Sequence, residues 1–261
     1  MRKERICEME EIRINKYLSD AGVCSRREAD KLLEAGKITV NGEIAVTGQK
    51  VTGKERICVK GVLVEPEKEE ILLAFHKPKG IVCTTSKKDK DNIVDYINYG
   101  KRIYPVGRLD KDSEGLILLT NQGELSDKLL RGSNGHEKEY IVTVNRRITK
   151  DFLQGMAGGV PILDRVTRPC KVTPVDDYTF KIILTQGWNR QIRRMCEYFD
   201  YRVRKLIRIR VMNIELGNLK VGTYRKITGA EKKALMERLE KGQEKRNGKN
   251  RANEGAGKNS R

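Results

Sequence analysis

The sequence predicts an α+β protein, with a small N-terminal module and a larger domain built on a mixed, mostly antiparallel sheet. Residues 12–70 combine helical spacing of apolar residues with a hairpin signal, and they end in an acidic, proline-bearing linker. Residues 71–240 contain short runs of β-branched residues with few helical stretches between them. A chain of 261 residues is long enough to bury two such cores.

The N-terminal module begins with two short helices. In INKYLSDAG the apolar residues recur at helical spacing, and Gly22 ends the pattern. The next helix opens with Ser25 and Glu28 at the spacing of a capping box, and Gly36 closes it. The segment KITVNGEIAV then alternates around an Asn-Gly pair, which is the strongest short signal for a hairpin.

The larger domain is predicted to consist mainly of strands. ILLAF and IVCTT flank the turn HKPKG, and EYIVTV and FKIILT are rich in β-branched residues. In YRVRKLIRIRVMNIEL, Ile207 and Ile209 alternate with Arg208 and Arg210. We therefore predict a strand that packs its apolar face on the core and offers its arginine face to phosphate.

Helices are predicted at three places in this domain, over residues 149–159, 189–199 and 228–242. The segment that follows, residues 241–261, contains seven basic residues, two acidic ones and no large apolar side chain. Such a segment cannot bury enough apolar surface to fold, so we predict a disordered basic tail.

The net charge of the chain indicates a polyanionic partner. Lys and Arg number 54 against 36 Asp and Glu, which gives a formal charge of +18. Nucleic acid is the first candidate and an anionic membrane surface the second. No apolar run approaches the roughly 20 residues of a spanning helix, so we expect a cytoplasmic protein without membrane contact. The residues of the second helix that we predict to bind nucleic acid are Arg26, Arg27 and Lys31.

Neither a metal site nor a cofactor site is expected. The six cysteines lie far apart with no Cys-x-x-Cys pair, and the chain has only two histidines. No segment matches a P-loop or a dinucleotide-binding fingerprint. We expect the cysteines to be reduced thiols that fill gaps in the core.

A charged pair precedes a strongly apolar strand of the larger domain. In GRLDKDSEGLILLT, Arg108 and Asp110 flank one leucine ahead of the run LILL. An aspartate at such a place is most often a turn or capping residue, and an arginine beside it is usually a surface charge. The local sequence therefore leaves a purely structural role open for both residues.

Several segments together resemble the pseudouridine synthases, in the branch that has an N-terminal S4 RNA-binding module and acts on ribosomal RNA. INKYLSDAGVCSRREADKLLEAGKITVNG resembles the S4 module, and GRLDKDSEGL resembles the signature around the family's catalytic aspartate. KPKGIVCTT, HEKEYIVTV, VPILDRVTRPCKV and QGWNRQIRRMCEYF also occur in the family's order. The resemblance covers roughly residues 12 to 230, and it implies an S4-like domain over 12–70 and a catalytic domain over 71–240.

The resemblance implies an isomerisation of uridine in RNA without a cofactor. The base is detached from C1′ of the ribose, turned, and reattached through C5. Asp110 matches the catalytic aspartate; whether it attacks C1′ or C6 or acts as a base stays open. Arg108 matches the arginine that fills the gap left by the flipped nucleotide, and Tyr140 matches the tyrosine that stacks on the flipped base. Arg193 matches the basic partner that favours the ionised aspartate, and Leu206 resembles the apolar residue that lines the uracil pocket.

The RNA implied is the 23S RNA of the large ribosomal subunit, with a transfer RNA as a further substrate, and we expect a monomer. Two alternatives stay open. The same chemistry could act at another large-subunit site or on the 16S RNA of the small subunit. A non-catalytic ribosome-assembly protein could have kept the fold, although the intact Asp110, Tyr140 and Arg193 argue against it. Trp188, the single tryptophan, is assigned no role from its residue type alone.

Overall fold

A computed structural model describes residues 11–130 and 135–256 of the chain, with side chains described up to residue 242. The chain divides into two units, one of residues 1–70 with 100–102 and the other of residues 71–99 with 103–261. Each unit has hydrophobic core residues of its own. None of the described helices is long and apolar enough to cross a membrane.

The first unit contains two helices and short strands. Its elements are β1 (Ile12–Arg13), α1 (Ile14–Asp20), α2 (Arg26–Glu34), β2 (Ile38–Val40), β3 (Glu43–Ile44), β4 (Lys50–Val51), β5 (Ile57–Val59) and β6 (Val62–Leu63). Strands β3, β2, β5 and β6 form an antiparallel sheet in that order, and β1 pairs with β4. Both helices bury their apolar faces in the core of this unit, which includes Ile14, Leu18, Ala29, Leu33, Ile38 and Ile57.

Two local signals in the first unit are confirmed. Ser25 caps α2, because the backbone N–H of Glu28 donates to Ser25 Oγ at 3.2 Å. Asn41 and Gly42 adopt positive φ angles of 53° and 95° in the turn between β2 and β3. Both features depend only on neighbouring residues, so the sequence pattern was sufficient to predict them.

The second unit is built on a nine-stranded sheet of mostly antiparallel strands, as predicted. Its strands are β7 (Leu72–Lys77), β8 (Tyr104–Val106), β9 (Glu114–Thr120), β10 (Lys138–Val144), β13 (Lys171–Pro174), β14 (Thr179–Leu184), β15 (Val203–Val211), β16 (Ile214–Glu215) and β17 (Tyr224–Lys226), while β11 (Pro161–Ile162) and β12 (Arg165–Val166) form a separate hairpin. The order is β13-β14-β10-β15-β9-β7-β17, with β16 beside β15 and β8 beside β9. The pair β15–β9 is parallel.

Helices cover both faces of this sheet. They are α3 (Ile93–Ile97), α4 (Gly123–Leu130), α5 (Lys150–Gly158), α6 (Gln191–Tyr198) and α7 (Gly229–Ala256). Along β7 and β9 alternate residues enter two different cores. Phe75 and Ile117 pack with side chains of α5 and α6, whereas Ala74 and Leu118 pack with side chains of α4 and α7. A strand buried on both faces needs an apolar residue at nearly every position, which explains the continuous run LILL.

Helices α5, α6 and α7 lie where the sequence pattern predicts helices, whereas α3 and α4 were not predicted. Helix α7 covers the third predicted helix and is assigned as far as Ala256, and side chains beyond residue 242 lie outside the described part of the chain. Its last described buried side chains are Leu235 and Leu239. Residues 257–261 lie outside the described part of the chain.

The predicted strand IVCTT is wrong. Val82 makes only an isolated bridge to Asn92, and its neighbours belong to no strand. The fully buried ammonium of Lys77 donates to the carbonyl oxygens of Pro78 and Ile81, both at 2.8 Å. These carbonyls therefore accept hydrogen bonds from a lysine and not from a neighbouring strand, and the segment forms an irregular turn.

Candidate active site

The charged pair lies in the loop that joins β8 to β9. Leu109 is buried in the core, whereas Arg108 is exposed and Asp110 is partly exposed. The backbone N–H of Leu109 donates to Sγ of the buried Cys83 at 3.3 Å, and that of Ser113 donates to the carbonyl of Asp110 at 3.0 Å. One buried leucine and two hydrogen bonds thus hold the loop so that both charged side chains point away from the core.

A glycine lets strand β15 come close to this loop. Gly115 pairs with Arg208 where β9 and β15 run parallel. A Cβ atom on Gly115 would lie 2.3 Å from the carbonyl oxygen and 2.5 Å from the nitrogen of Arg208. Its φ of +116° is also one that other residues rarely adopt. Only glycine therefore permits the contact that places the residues of β15 beside the Asp110 loop.

Two aspartates and two arginines form an ionic cluster at the loop. Arg190 donates to both carboxylate oxygens of Asp112, at 3.1 and 3.3 Å, and its Nη1 lies 3.9 Å from Oδ2 of Asp110. Arg193 Nη2 lies 3.2 Å from Oδ2 of Asp112. Burial by itself raises the pKa of Asp112, but the hydrogen bonds and charge of Arg190 and the charge of Arg193 outweigh it and lower that pKa.

Arg193 forms its ion pair with Asp112, and its pairing with Asp110 stays a prediction. The carboxylate that Arg193 meets is that of Asp112, and the guanidinium nearest to Asp110 is that of Arg190. The reason is that α6 begins at Gln191, with Arg190 in a left-handed conformation ahead of it. Arg193 then lies on the inner side of the first turn, where its Nε is buried without a hydrogen-bond partner among the described residues. The cluster therefore keeps one unused donor next to the loop.

Tyr140 and Leu206 lie with Asp110 along one cavity of about 930 Å³. Tyr140 is on β10 and Leu206 is on β15, and both side chains are buried. Residues from β8, β9, α4, β12 and α6, and from the loops beside them, complete the walls, and they include Val106, Arg108, Leu118, Leu129, Arg168, Trp188, Arg190 and Ile192. This volume is at the upper end of the range for ligand pockets, so a flipped nucleotide with part of its strand fits inside. Three predicted site residues are thus brought together from three separate strands or loops.

The predicted arginine face of β15 is wrong. The ladder between β10 and β15 shifts register between Glu139 and Tyr140, so that Arg208 lies opposite Tyr140 and Arg210 lies opposite Glu139. The two arginines therefore leave the strand on different faces. Arg208 is buried at the cavity wall, and its Nε donates to the carbonyl of Leu116 at 2.7 Å.

Arg210 is neutralised on the opposite face of the sheet. Its Nε lies 2.8 Å from Glu139, and its Nη2 lies 3.0 Å from Glu137. A guanidinium held by two carboxylates is a poor site for a further anion. Phosphate contacts at this strand are thus not available from an open row of arginines.

The basic residues predicted on the first unit are placed as expected. Arg26, Arg27 and Lys31 lie on α2, and all three side chains are exposed. They point to solvent while Ala29 and Leu33 of the same helix enter the core. These three basic side chains are therefore accessible to solvent.

Three residues near the loop were not identified from the sequence. Asp112 lies in GRLDKDSEGL and Arg190 lies in QGWNRQIRRMCEYF, but nothing in these segments indicates that the two residues form an ion pair. Lys77 would be expected at the surface of a turn, yet it is fully buried, and its charge lies close enough to interact with Asp112 and Asp110. Burial lowers the pKa of Lys77, and the neighbouring carboxylates oppose that shift. No sequence signal reveals such a buried cation.

No cluster of three or more His, Cys, Asp or Glu in the described ranges is placed to hold a metal ion. The five described cysteines are free thiols, while Cys7 lies outside the described residues. Burial raises the pKa of Cys196 to about 12 and that of Cys170 to about 11. These two side chains therefore stay protonated and act as packing groups rather than as nucleophiles.

Comparison with known proteins places the chain in a family. Residues 71–198 match the family model for RNA pseudouridylate synthase, and residues 12–57 match the S4 domain. The chain is 51% identical to the dual-specificity RNA pseudouridine synthase RluF of Escherichia coli (strain K12), over 84% of this chain and 77% of that protein. It is 35% identical to the ribosomal large subunit pseudouridine synthase B of Bacillus subtilis (strain 168), over 85% of this chain and 95% of that protein.

A solved structure, described as the crystal structure of pseudouridylate synthase, superposes with a TM-score of 0.62 at 26% identity. The match covers 87% of this chain and 99% of that one. Sequence and fold therefore agree over both units. The chain belongs to the RNA pseudouridine synthases, which are isomerases, in the branch with an N-terminal S4 domain.

Proposed function

We propose that this enzyme isomerises a specific uridine of 23S ribosomal RNA to pseudouridine, and that Asp110 is the catalytic group. The observation that supports this most directly is the shared cavity of Asp110, Tyr140 and Leu206, with the exposed Arg108 on the same loop as Asp110. A carboxylate, an aromatic ring and an apolar wall are the groups needed to react with, stack on and enclose a uracil.

A cation close to Asp110 supports its proposed role. The guanidinium of Arg190 lies 3.9 Å from the Asp110 carboxyl group, where it can hold that group in place for attack on the nucleotide or for proton abstraction. Asp112 keeps Arg190 and Arg193 at the loop, so these cations stay near Asp110 before RNA arrives.

Base flipping gives Arg108 its role in this proposal. A uridine inside a folded RNA must leave its stack before it can enter a cavity, at an unstacking cost of a few kcal/mol. The exposed side chain of Arg108 lies two residues from Asp110 on the cavity rim, where it can occupy the vacated space in the RNA. Leu109 between them is anchored in the core, so the inserted arginine has a rigid base.

The two units have different tasks in this proposal. Residues 12–70 anchor RNA through the exposed Arg26, Arg27 and Lys31, and residues 71–240 perform the chemistry. Large-subunit ribosomal RNA is supported by the printed name of the Bacillus subtilis relative. A second substrate, which we propose to be a transfer RNA, is supported by the words "dual-specificity" in the name of the Escherichia coli relative. We further propose that the enzyme acts on these RNAs as a monomer in the cytoplasm.

Mapping pseudouridine in ribosomal and transfer RNA from cells with and without this gene tests the proposal. We expect one or a few sites to be lost, at least one of them in 23S RNA, and to return when the wild-type gene is restored. Restoring a gene that encodes Asp110→Asn should not return them. Unchanged maps, or sites confined to 16S RNA, would contradict the proposed substrate.

A further inference from the structure

Lys138 is a cavity residue that the reaction described above does not use. It lies on β10 two residues before Tyr140, so both side chains project from the same face of the strand and both line the cavity. The side chain is partly buried, and it forms no hydrogen bond or ion pair with any residue in the described part of the chain. A lysine that is partly removed from water without a partner is an uncompensated cost to the fold.

Acidic side chains are close at hand but are directed elsewhere. Glu137 and Glu139 flank Lys138 in the sequence, yet both pair with Arg210 on the opposite face of the strand. On its own face Lys138 meets Leu184 and Val211 across the ladders, and its charged neighbour is the buried Arg208. Burial, followed by the charge of Arg208, lowers the pKa of Lys138 to about 8. Two like charges thus stand side by side at the cavity wall.

Lys77 shows what a structural buried lysine looks like in the same molecule. Its ammonium is fully buried and donates to two carbonyl oxygens at 2.8 Å, so its hydrogen bonds are supplied by the protein. Lys138 has no such contacts and faces a cavity instead of the core. The difference indicates that the partner of Lys138 enters the cavity from outside.

We propose that Lys138, supported by Arg208, binds the phosphodiester next to the flipped uridine. The inference rests on the proposed function, because it takes RNA as the ligand. A phosphate oxygen would supply the negatively charged partner that the protein does not provide for these two cations. A lysine ammonium binds phosphate as a point charge. With the backbone held at Lys138 and the base stacked on Tyr140, the ribose between them is positioned towards Asp110. Lys138 is thus a positioning residue for the nucleotide.

A synthetic stem-loop containing the mapped target uridine tests this contact. One phosphate, either 5′ or 3′ of that uridine, is replaced by an uncharged methylphosphonate. The dissociation constant is measured for four proteins that all carry Asp110→Asn, so that the RNA is not converted. One is wild type at every other position, and the others carry Lys138→Met, Lys138→Arg or Lys205→Met. Lys205 is a matched control, because it is an exposed lysine on β15 outside the cavity lining.

For Lys138→Met we expect about tenfold weaker binding of the unmodified RNA and a salt slope smaller by about 0.7. One of the two methylphosphonates should weaken wild-type binding by a similar factor but should leave Lys138→Met unaffected. Lys138→Arg keeps the charge and should stay sensitive to that substitution, as should Lys205→Met. The position of the sensitive phosphate identifies which of the two phosphodiesters is bound.

The inference would be overturned if each methylphosphonate weakened RNA binding by Lys138→Met as much as it weakens binding by the wild type. It would also be overturned if Lys138→Met bound the unmodified RNA as tightly as the wild type does. Melting curves of each variant show whether the fold is kept, and Lys138→Gln, which also removes the charge but keeps a polar side chain, replaces Lys138→Met if that variant does not fold. Pseudouridine formation by the enzyme with Asp110 intact is measured on the same unmodified RNA. If the enzyme forms pseudouridine but the effects of Lys138→Met and of the methylphosphonate on binding are additive, only this inference is contradicted. If the enzyme forms no pseudouridine, both the proposed function and the inference are contradicted.

Discussion

Replacing Asp112 by asparagine removes the carboxylate that holds two arginines at the active-site loop. Removing one partner of a buried ion pair typically destabilises a protein by about 3–5 kcal/mol. The side chain of Arg193 is only 11% exposed, but that of Asp112 is 50% exposed, so solvent screens part of the loss. We therefore expect Asp112→Asn to lower the free energy of unfolding by about 1–3 kcal/mol at pH 7.

An exposed ion pair of the same unit provides the control. Asp91 lies 3.1 Å from Lys111, and both side chains are about 60% exposed. Pairs of this kind contribute about 0–1 kcal/mol, so Asp91→Asn should change stability little. Urea unfolding of both variants and the wild type, followed by circular dichroism, measures the difference. A loss for Asp112→Asn no larger than that for Asp91→Asn would refute the reasoning.

The stability difference should also depend on pH in a defined direction. The arginines lower the pKa of Asp112 in the folded protein below its unfolded value of about 3.9. A carboxyl with a lowered folded pKa stabilises the fold fully above the unfolded pKa and loses that contribution as the pH falls through the folded pKa. The difference in the free energy of unfolding between wild type and Asp112→Asn should thus be largest at pH 7 and should decrease below about pH 4. A gap that widened towards acid pH would contradict the assigned ion pairs.

Three further predictions follow from single contacts. Gly115→Ala forces a Cβ atom to within 2.3 Å of the backbone of β15, so we expect a loss of more than about 2 kcal/mol in urea unfolding, and an unchanged midpoint would be inconsistent with the close approach. Cys83→Ala removes the sulfur that accepts from the backbone N–H of Leu109, so we expect the free energy of unfolding to fall by about 1–3 kcal/mol and single-turnover catalysis to slow. Cys83→Ser keeps an acceptor, so both effects should be smaller. Changing Arg26 and Lys31 together to alanine should weaken RNA binding and reduce its salt slope by about 1.4–1.8, with the single-turnover rate on saturated enzyme unchanged; an unchanged slope would remove α2 from the RNA contact.

Local signals predicted the parts of the fold that depend on neighbouring residues. The cap at Ser25 and the turn at Asn41–Gly42 each involve a few consecutive residues, and both were found as expected. The helix predicted over residues 189–199 was also found, as α6, and its residues Ile192 and Met195 pack in the core. Periodicity did not reveal α3, because five residues are too few to display a helical repeat.

Long-range pairings were beyond the sequence. The alternation in β15 predicted one arginine face, but a shift in register with β10 separates Arg208 from Arg210. The partner of Arg193 depends on where α6 begins and on the left-handed conformation of Arg190, which no spacing rule specifies. The burial of Lys138 beside Arg208 likewise follows only from the assembled sheet. The types of residue at the candidate site were thus predictable, whereas their pairing was not.

Single-turnover conversion of uridine by Asp110→Asn tests the central claim most directly. Asparagine is nearly the same size as aspartate and keeps one acceptor oxygen, but it carries no negative charge and is a poor nucleophile and base. We expect pseudouridine formation in the mapped RNA to fall at least about a thousandfold, while affinity for that RNA changes by less than about threefold and the melting temperature is kept. A variant that stays folded, binds the RNA and still forms pseudouridine at a rate comparable to wild type would contradict the assignment of Asp110 as the catalytic group.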